Sequence, residues 1–274
     1  MDWNQTYLRG KNYAAGFMQG ARMYASLTPV PLRSRAAAIV CVSSDSSDLH
    51  RVLSQLEALP LHEIVLVLSQ PTDGIFALAR SRKNTLIVHL PDSVEPDVGR
   101  ALGAKLTDAD TLLFVDGKQA TDANVLARFL WECDGRMDIA LNDISARMGL
   151  FKQRGGIEQF HEFLNSSLNR QDLRANSMSV LPIAMSRHAL DTLGSAVLAV
   201  PVKAHAIAIL NKLRIGAGGS AGSGTLKEQS KSKEHLKKAA GDHVEALKEA
   251  MTTRGSRLQF VDTIRNRSVL GDER

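Results

Sequence analysis

The sequence predicts an α/β fold with a mostly parallel central sheet and helices on both faces. Three observations carry that expectation. Short apolar runs recur at 36–42, 64–68, 86–88, 111–115 and 139–141, each too brief for a buried helix. Apolar residues at helical spacing fill the intervals, and repeated β-α units bury both faces of a parallel sheet. The run Thr111-Leu-Leu-Phe-Val115 then stops abruptly at Asp116-Gly117-Lys118, an acid, a glycine and a base. In open α/β sheets the ligand crevice lies at the carboxyl ends of the strands, so a carboxylate emerging there points at a bound molecule. An aspartate also serves a turn through local hydrogen bonds, so Asp116 alone does not decide the matter.

Near the N-terminus Tyr13, Phe17, Ala21 and Tyr24 recur at helical spacing within 6–26, with Ala14 and Met18 alongside, which predicts a helix docking that face on the body. Pro29 and Pro31 break the chain before the first strand. Leu49, Val52, Leu53 and Leu56 stripe the first crossover helix, and Ile75, Leu78 and Ala79 the second. Val98, Ala101 and Leu102 stripe the third, and Val125, Leu126, Phe129 and Leu130 the fourth. After Asn142 the rhythm changes: 157–168 reads as helix, Met178 to Met185 as extended, and Ala204 to Leu213 as helix. Gly216 to Gly224 holds no side chain able to build a core and predicts a flexible linker or mobile loop. Beyond it, Leu226 to Met251 is charged and helical, and Arg254, Arg257, Arg265 and Arg267 surround a small apolar group.

The 274 residues suffice for one large domain, alone or with an appendage. Lysine and arginine number 34 against 29 acids, a net charge of +5 spread along the chain. That balance suits phosphate-bearing small molecules or an anionic membrane surface. Aromatic content of 5% argues against a base-stacking nucleic-acid platform. Cys41 and Cys133 share no paired spacing and no Cys/His cluster, which argues against a disulfide framework or zinc site. No apolar run approaches the roughly 18 residues of a membrane span, and Met1-Asp-Trp-Asn lacks the regions of a signal peptide. The expectation is a cytoplasmic protein, with peripheral membrane contact and homodimerisation left open.

Four segments carry a resemblance. They are Val42-Ser-Ser-Asp45, Ser69-Gln-Pro-Thr-Asp-Gly74, Asp97-Val-Gly-Arg-Ala-Leu-Gly-Ala104 and Phe114-Val-Asp-Gly-Lys118. Their order and spacing resemble the GT-A glycosyltransferases, close to family two, over residues 36–145. The resemblance implies a Rossmann-like GT-A fold divided into an N-terminal helical extension (1–35), a nucleotide-sugar half (36–145), an acceptor half (146–215), a linker (216–225) and a C-terminal helical tail (226–274). It implies inverting transfer of a sugar from a nucleoside diphosphate, a UDP-sugar first, to a hydroxyl on a glycan, lipid or small molecule, with no nucleic-acid partner. The missing acids described below equally allow a degenerate protein that binds nucleotide sugars, or scaffolds, without turnover. A dehydrogenase is disfavoured because no glycine-rich phosphate loop follows the first strand.

The resemblance also assigns residues. Ser43, Ser44 and Asp45 would face the base and ribose, although Ser44 or Asp45 equally suits a helix N-cap. Ser69 and the Asp73-Gly74 turn would close the base slot. Arg100 would donate a forked pair of bonds to the diphosphate. Asp116, Gly117 and Lys118 occupy the metal motif, where the family has acids at the first and third positions; here the third is lysine. Either Asp116 binds Mg2+ or Mn2+ with His243, or else His205, completing the shell, or Lys118 supplies the cation itself. The general base, commonly an acid pair, has no match in Leu193 to His205, leaving Asp191 and His205 as candidates. Arg254 and Arg257 of the tail would close as a lid over the diphosphate.

Overall fold

The computed structural model describes residues 2–22, 28–222 and 232–260. Its strands are β1 (Ala36–Ser43), β2 (Glu63–Ser69), β3 (Thr85–Leu90), β4 (Thr111–Asp116), β5 (Ile139–Asn142), β6 (Ile183–Ser186) and β7 (Ile215–Gly219). They form one sheet in the order β3-β2-β1-β4-β6-β5-β7. Every neighbouring pair is parallel except those made by β6, which runs antiparallel to both β4 and β5. The five strands expected from the apolar runs are all present. The extended stretch from Met178 contributes only β6, at its far end.

The helices are α1 (Trp3–Ala21), α2 (Leu49–Glu57), α3 (Asp73–Arg80), α4 (Pro96–Leu106), α5 (Ala123–Cys133), α6 (Gly156–Ser167), α7 (Arg187–Leu193), α8 (Pro201–Leu210) and α9 (Lys233–Arg254). Alternation along the strands splits the core in two. Val40, Leu66, Leu113 and Ala140 pack under α2, α3 and α5 on one face. Ile39, Val67, Phe114, Leu141 and Met185 pack under α4 and α6 to α9 on the other. The helix α4 lies unusually close to the sheet, because a Cβ on Gly103 would stand 2.5 Å from Ile39 Cγ2 and one on Gly99 would stand 2.9 Å from Cys41 Sγ.

Three expectations are corrected. The helix α1 docks through Trp3, against Trp131 at 5.4 Å between ring centroids, and through Thr6 and Gly10; Tyr13 is 77% exposed and Phe17 60%. A large indole anchored on another buries more apolar surface than the Tyr13 face would, and the helix is rotated accordingly. Tyr24 lies outside the described residues.

The glycine run does not begin as a linker. Ile215–Gly219 is the edge strand β7, paired with β5. Gly218 and Gly219 leave room for the buried Phe129 ring of α5, which packs closely against the strand. A Cβ on Gly218 would come within 2.7 Å of that ring. The remainder of the expected linker, 223–225, lies outside the described residues. So does 261–274, with Arg265 and Arg267.

The charged tail helix is also not a free appendage. Against α6 and α8, α9 buries His243, Ala246 and Ala250, and Lys203 of α8 pairs with Glu245 at 2.8 Å. Among the described residues no helix is long and apolar enough to cross a membrane.

Candidate functional site

A cleft opens at the carboxyl rim of the sheet, on the α4 side. It is built by the ends of β1, β2 and β4, by residues 94 and 95 with the first turns of α4, and by Leu181 before β6. Strand and loop are tied by Ser69, whose hydroxyl accepts from Val94 N at 2.8 Å. Of the residues assigned from sequence, Ser43, Ser69, Arg100, Asp116, Gly117 and Lys118 line the cleft.

Asp116 ends β4. Its Oδ1 accepts from Lys118 N at 2.8 Å, so the turn that the sequence suggested and the rim position hold together. Gly117 is required for that turn to lie against β1, since a Cβ would meet Cys41 O at 2.4 Å. Lys118 Nζ reaches Asp45 Oδ2 at 2.5 Å, and Asp45 Oδ1 accepts from Ser43 Oγ at 2.6 Å. The lysine beside it, and then the Ser43 hydroxyl, lower the Asp45 pKa from the ordinary carboxylate value. A cation and a carboxylate are thus presented together at the mouth of the cleft.

Arg100 is not the surface charge that arginines on helices usually are. It is 4% exposed, donating from Nη1 to Met178 O at 2.9 Å and pairing with Asp97 at 3.2 Å. The guanidinium joins the floor of the cleft to the loop before β6. Cys41, also in the lining, is a protonated thiol, its pKa pushed up to about 12 by burial.

Other assigned residues lie elsewhere. Ser44 sits exposed in the turn after β1, and the cap of α2 falls on Asp48 instead of either candidate. Asp73 occupies the first turn of α3, capped by Thr72, and does not line the cleft. Arg254 donates to Leu168 O at 3.0 Å, at the end of α6, and Arg257 Nε donates to Phe260 O at 3.4 Å; neither lines the cleft in this structure. The closest link from α9 is Lys238, which pairs with Glu95 of the lining.

The base candidates are placed away from the cleft. Asp191 lies on α7, which follows β6; because β6 is antiparallel, that helix starts at the opposite rim, where Arg187 N donates to Asp110 O at 2.7 Å. His205 is fully buried in α8, its Nε2 bonded to Asn165 Oδ1 at 2.8 Å, and burial drives its pKa down to about 3.

His243 Nδ1 donates to Ala239 O at 2.6 Å, and the ring, buried in the face of α9 that docks on the body, lies tilted 5.1 Å from that of His161. It does not line the cleft, and among the described residues no group of three or more His, Cys, Asp or Glu converges on a point. Asp116 is therefore the metal motif's only acid. Hard divalent cations are commonly held by one or two carboxylates plus substrate phosphates, and Asp116 with a diphosphate fits that minimal set.

Sequence reasoning missed Glu95, Leu181 and, further along the rim, Asn142 and Asp143. The last two follow the predicted strand 139–141 directly. The rule that singled out Asp116, a polar residue leaving the carboxyl end of a parallel strand, applies to them equally.

No family model and no curated protein sequence matches the chain. Solved structures do. A mannosyltransferase from Pyrobaculum calidifontis, in complex with GDP-Man and Mn2+, superposes with a TM-score of 0.50 at 14% identity over 89% of this chain and 83% of that one. Glucosyl-3-phosphoglycerate synthase from Mycobacterium tuberculosis, in complex with Mn2+, UDP and glucosyl-3-phosphoglycerate, gives 0.56 at 11% identity over 84% and 82%. The chain has the GT-A fold. In the sheet, β6 separates the described cleft from the rim of β5.

Proposed function

We propose that this GT-A chain transfers a sugar from a nucleoside diphosphate sugar, a UDP-sugar, to a hydroxyl acceptor with inversion. The observation that carries the reading is the meeting of Asp116, Lys118, Arg100 and Ser43 in one cleft at the carboxyl rim of the sheet. Fold likeness adds to it, since the neighbours are complexed with UDP or GDP-Man. The residues at 36–145 form the donor half and those at 146–215 the acceptor half.

The chemistry needs three things from the protein. Negative charge on the departing diphosphate must be matched, which Lys118 and Arg100 do by position. Base and ribose need small side chains and an acceptor for N–H or O–H groups, which Ser43 and Asp45 supply. Asp116 would hold a divalent cation, which when bound would supply further neutralisation of the diphosphate charge. The acceptor, a glycan, lipid or small molecule, approaches from the β5 side of the rim.

A second reading keeps the fold and the donor but not the turnover. Lys118 in place of an acid favours it. Thermal denaturation with UDP, GDP or dTDP, with and without Mn2+, tests the donor site, because a ligand bound only to the native state raises Tm. No rise at millimolar nucleotide defeats both readings. Nucleotide release from a donor sugar, abolished in Asp116→Ala, separates enzyme from binding protein.

A further inference from the structure

Asp116 and Asp143 stand at the same end of the sheet, with β6 between them. The registers pair Phe114 with Ile183 on one side of β6 and Ala140 with Ala184 on the other. Carried to the rim, both registers bring a carboxylate level with Leu181, Asp116 from the β4 side and Asp143 from the β5 side. One bond ties β5 to the segment before β6, and another ties it to β7 on its other side. Asn142 Nδ2 donates to Leu181 O at 2.9 Å, and Asp143 N donates to Gly219 O at 2.7 Å. Residues directly opposite in an antiparallel pair share a face. By strand alternation Asp116 falls on the side of Phe114 and Asp143 on the side of Leu141, the side to which the cleft opens, and Asp143 stands beside the lining, not in it. Two strand spacings put about 10 Å between them, and Leu181, which lines the cleft, lies in the gap.

The Asp143 side chain is fixed in place. Its Oδ1 accepts from Ser145 N at 2.9 Å and from Asn176 Nδ2 at 3.3 Å, and Asn176 Oδ1 accepts from Ile144 N at 3.0 Å. The Ser145 hydroxyl also bonds this carboxylate, so the side chain is held from three directions at the rim. The nearby charge is Arg174, a non-glycine residue at φ 51°, a left-handed backbone conformation that costs energy and recurs at functional sites.

We infer that Asp143 is the general base of the transfer; the assignment rests on the donor-site reading above. The acceptor hydroxyl oxygen forms its bond to the anomeric carbon from the side opposite the diphosphate. The bond from that carbon to the diphosphate oxygen breaks, its electron pair leaving with the nucleotide, and the hydroxyl proton passes to the Asp143 carboxylate. With the diphosphate at Asp116 and Lys118, the sugar spans the gap over Leu181 and its free side faces Asp143. Neither Asp191 nor His205 has that relation to the cleft.

Two variants test this, with UDP-glucose and GDP-mannose as donors and UDP and GDP as binding probes. Asp143→Asn keeps an oxygen for Ser145 N while removing the base. It is expected to keep the wild-type Tm and its rise with nucleotide, to lose about a hundredfold or more in nucleotide release, and to lose the acid limb of the pH profile. In Asp143→Ala, azide, an anion that attacks carbon without surrendering a proton, is expected to restore donor consumption as glycosyl azide. A residue that merely braces the loop would not respond to azide. Undiminished release from Asp143→Asn, or no azide rescue in a folded, nucleotide-binding Asp143→Ala, overturns the assignment and leaves the donor site standing. A wild type whose Tm ignores UDP and GDP removes the donor site, and the base with it.

Discussion

Lys118 Nζ meets the Asp45 carboxylate at 2.5 Å, joining the end of β4 to the turn after β1. The side chains are 45% and 64% exposed, so the pair contributes little stability. Its consequence is positional, since an ammonium is held at the cleft mouth where a diphosphate would arrive. Lys118→Met is expected to weaken UDP binding about tenfold, the value of one charge-assisted hydrogen bond of ~1.4 kcal/mol. Calorimetry with UDP and with uridine checks it, uridine binding staying constant. Equal UDP affinities in variant and wild type would remove Lys118 from the diphosphate site.

The same lysine decides how strongly donor binding depends on a metal. With Asp116 as the motif's single acid, EDTA is expected to change wild-type UDP affinity by less than about threefold, well under 1.4 kcal/mol. Lys118→Asp restores the second acid and is expected to bind UDP only with Mn2+ present. A wild type that loses UDP on EDTA treatment contradicts this division of labour.

Arg100 is buried between Met178 O and Asp97. Truncation leaves a carbonyl and a carboxylate short of a donor, which costs about 2 to 4 kcal/mol when such groups are buried. Arg100→Ala is therefore expected to lower the denaturant midpoint, and Arg100→Lys to restore little of it, because an ammonium does not reproduce the planar fork. Urea titration measures both. A midpoint unchanged in Arg100→Ala would mean that the loop before β6 is anchored otherwise.

Much of this architecture is legible in the chain. Strand ends mark the rim, so Ser43, Ser69 and Asp116 emerge from the period of the apolar runs and the breaker that follows each. Arg100 and Lys118 are legible only as residue types, since burial of one and pairing of the other depend on Met178 and Asp45, which are remote in sequence. The glycine run misleads because flexibility and close packing ask for the same residue; only Phe129, contributed from another element, shows which applies. His205 and His243 mislead for a similar reason. A histidine reads as a ligand until burial against Asn165 or His161 removes it from solvent.

Gly103 measures how tightly α4 is seated. With a Cβ 2.5 Å from Ile39 Cγ2, the helix must rise from the sheet to accept any side chain. Gly103→Val is expected to cost about 1 to 3 kcal/mol, typical of overpacking, and to shift Arg100 enough to weaken nucleotide binding as well. Gly74, which has open space around it, is the control: Gly74→Ala should leave both unchanged. Equal midpoints for Gly103→Val and wild type would disprove the close approach.

Three buried histidines tie stability to pH. His161 bonds Ser179 Oγ at 2.9 Å and lies 5.1 Å from His243 on α9, while His205 is held by Asn165. Burial holds each pKa below the ordinary 6.5, well below for His161 and down to about 3 for His205, and His243 adds to the depression of both. The folded chain therefore keeps these rings neutral where the unfolded chain protonates them. Their contribution is complete above pH 6.5 and is lost as pH falls from there toward the folded-state values, by up to about 1.4 kcal/mol per pH unit for each ring. Urea midpoints between pH 7.5 and 5 should fall, and His243→Phe, which keeps the ring packing beside Phe160 at 5.5 Å, should flatten the slope. Identical slopes for variant and wild type would place the proton uptake at other groups.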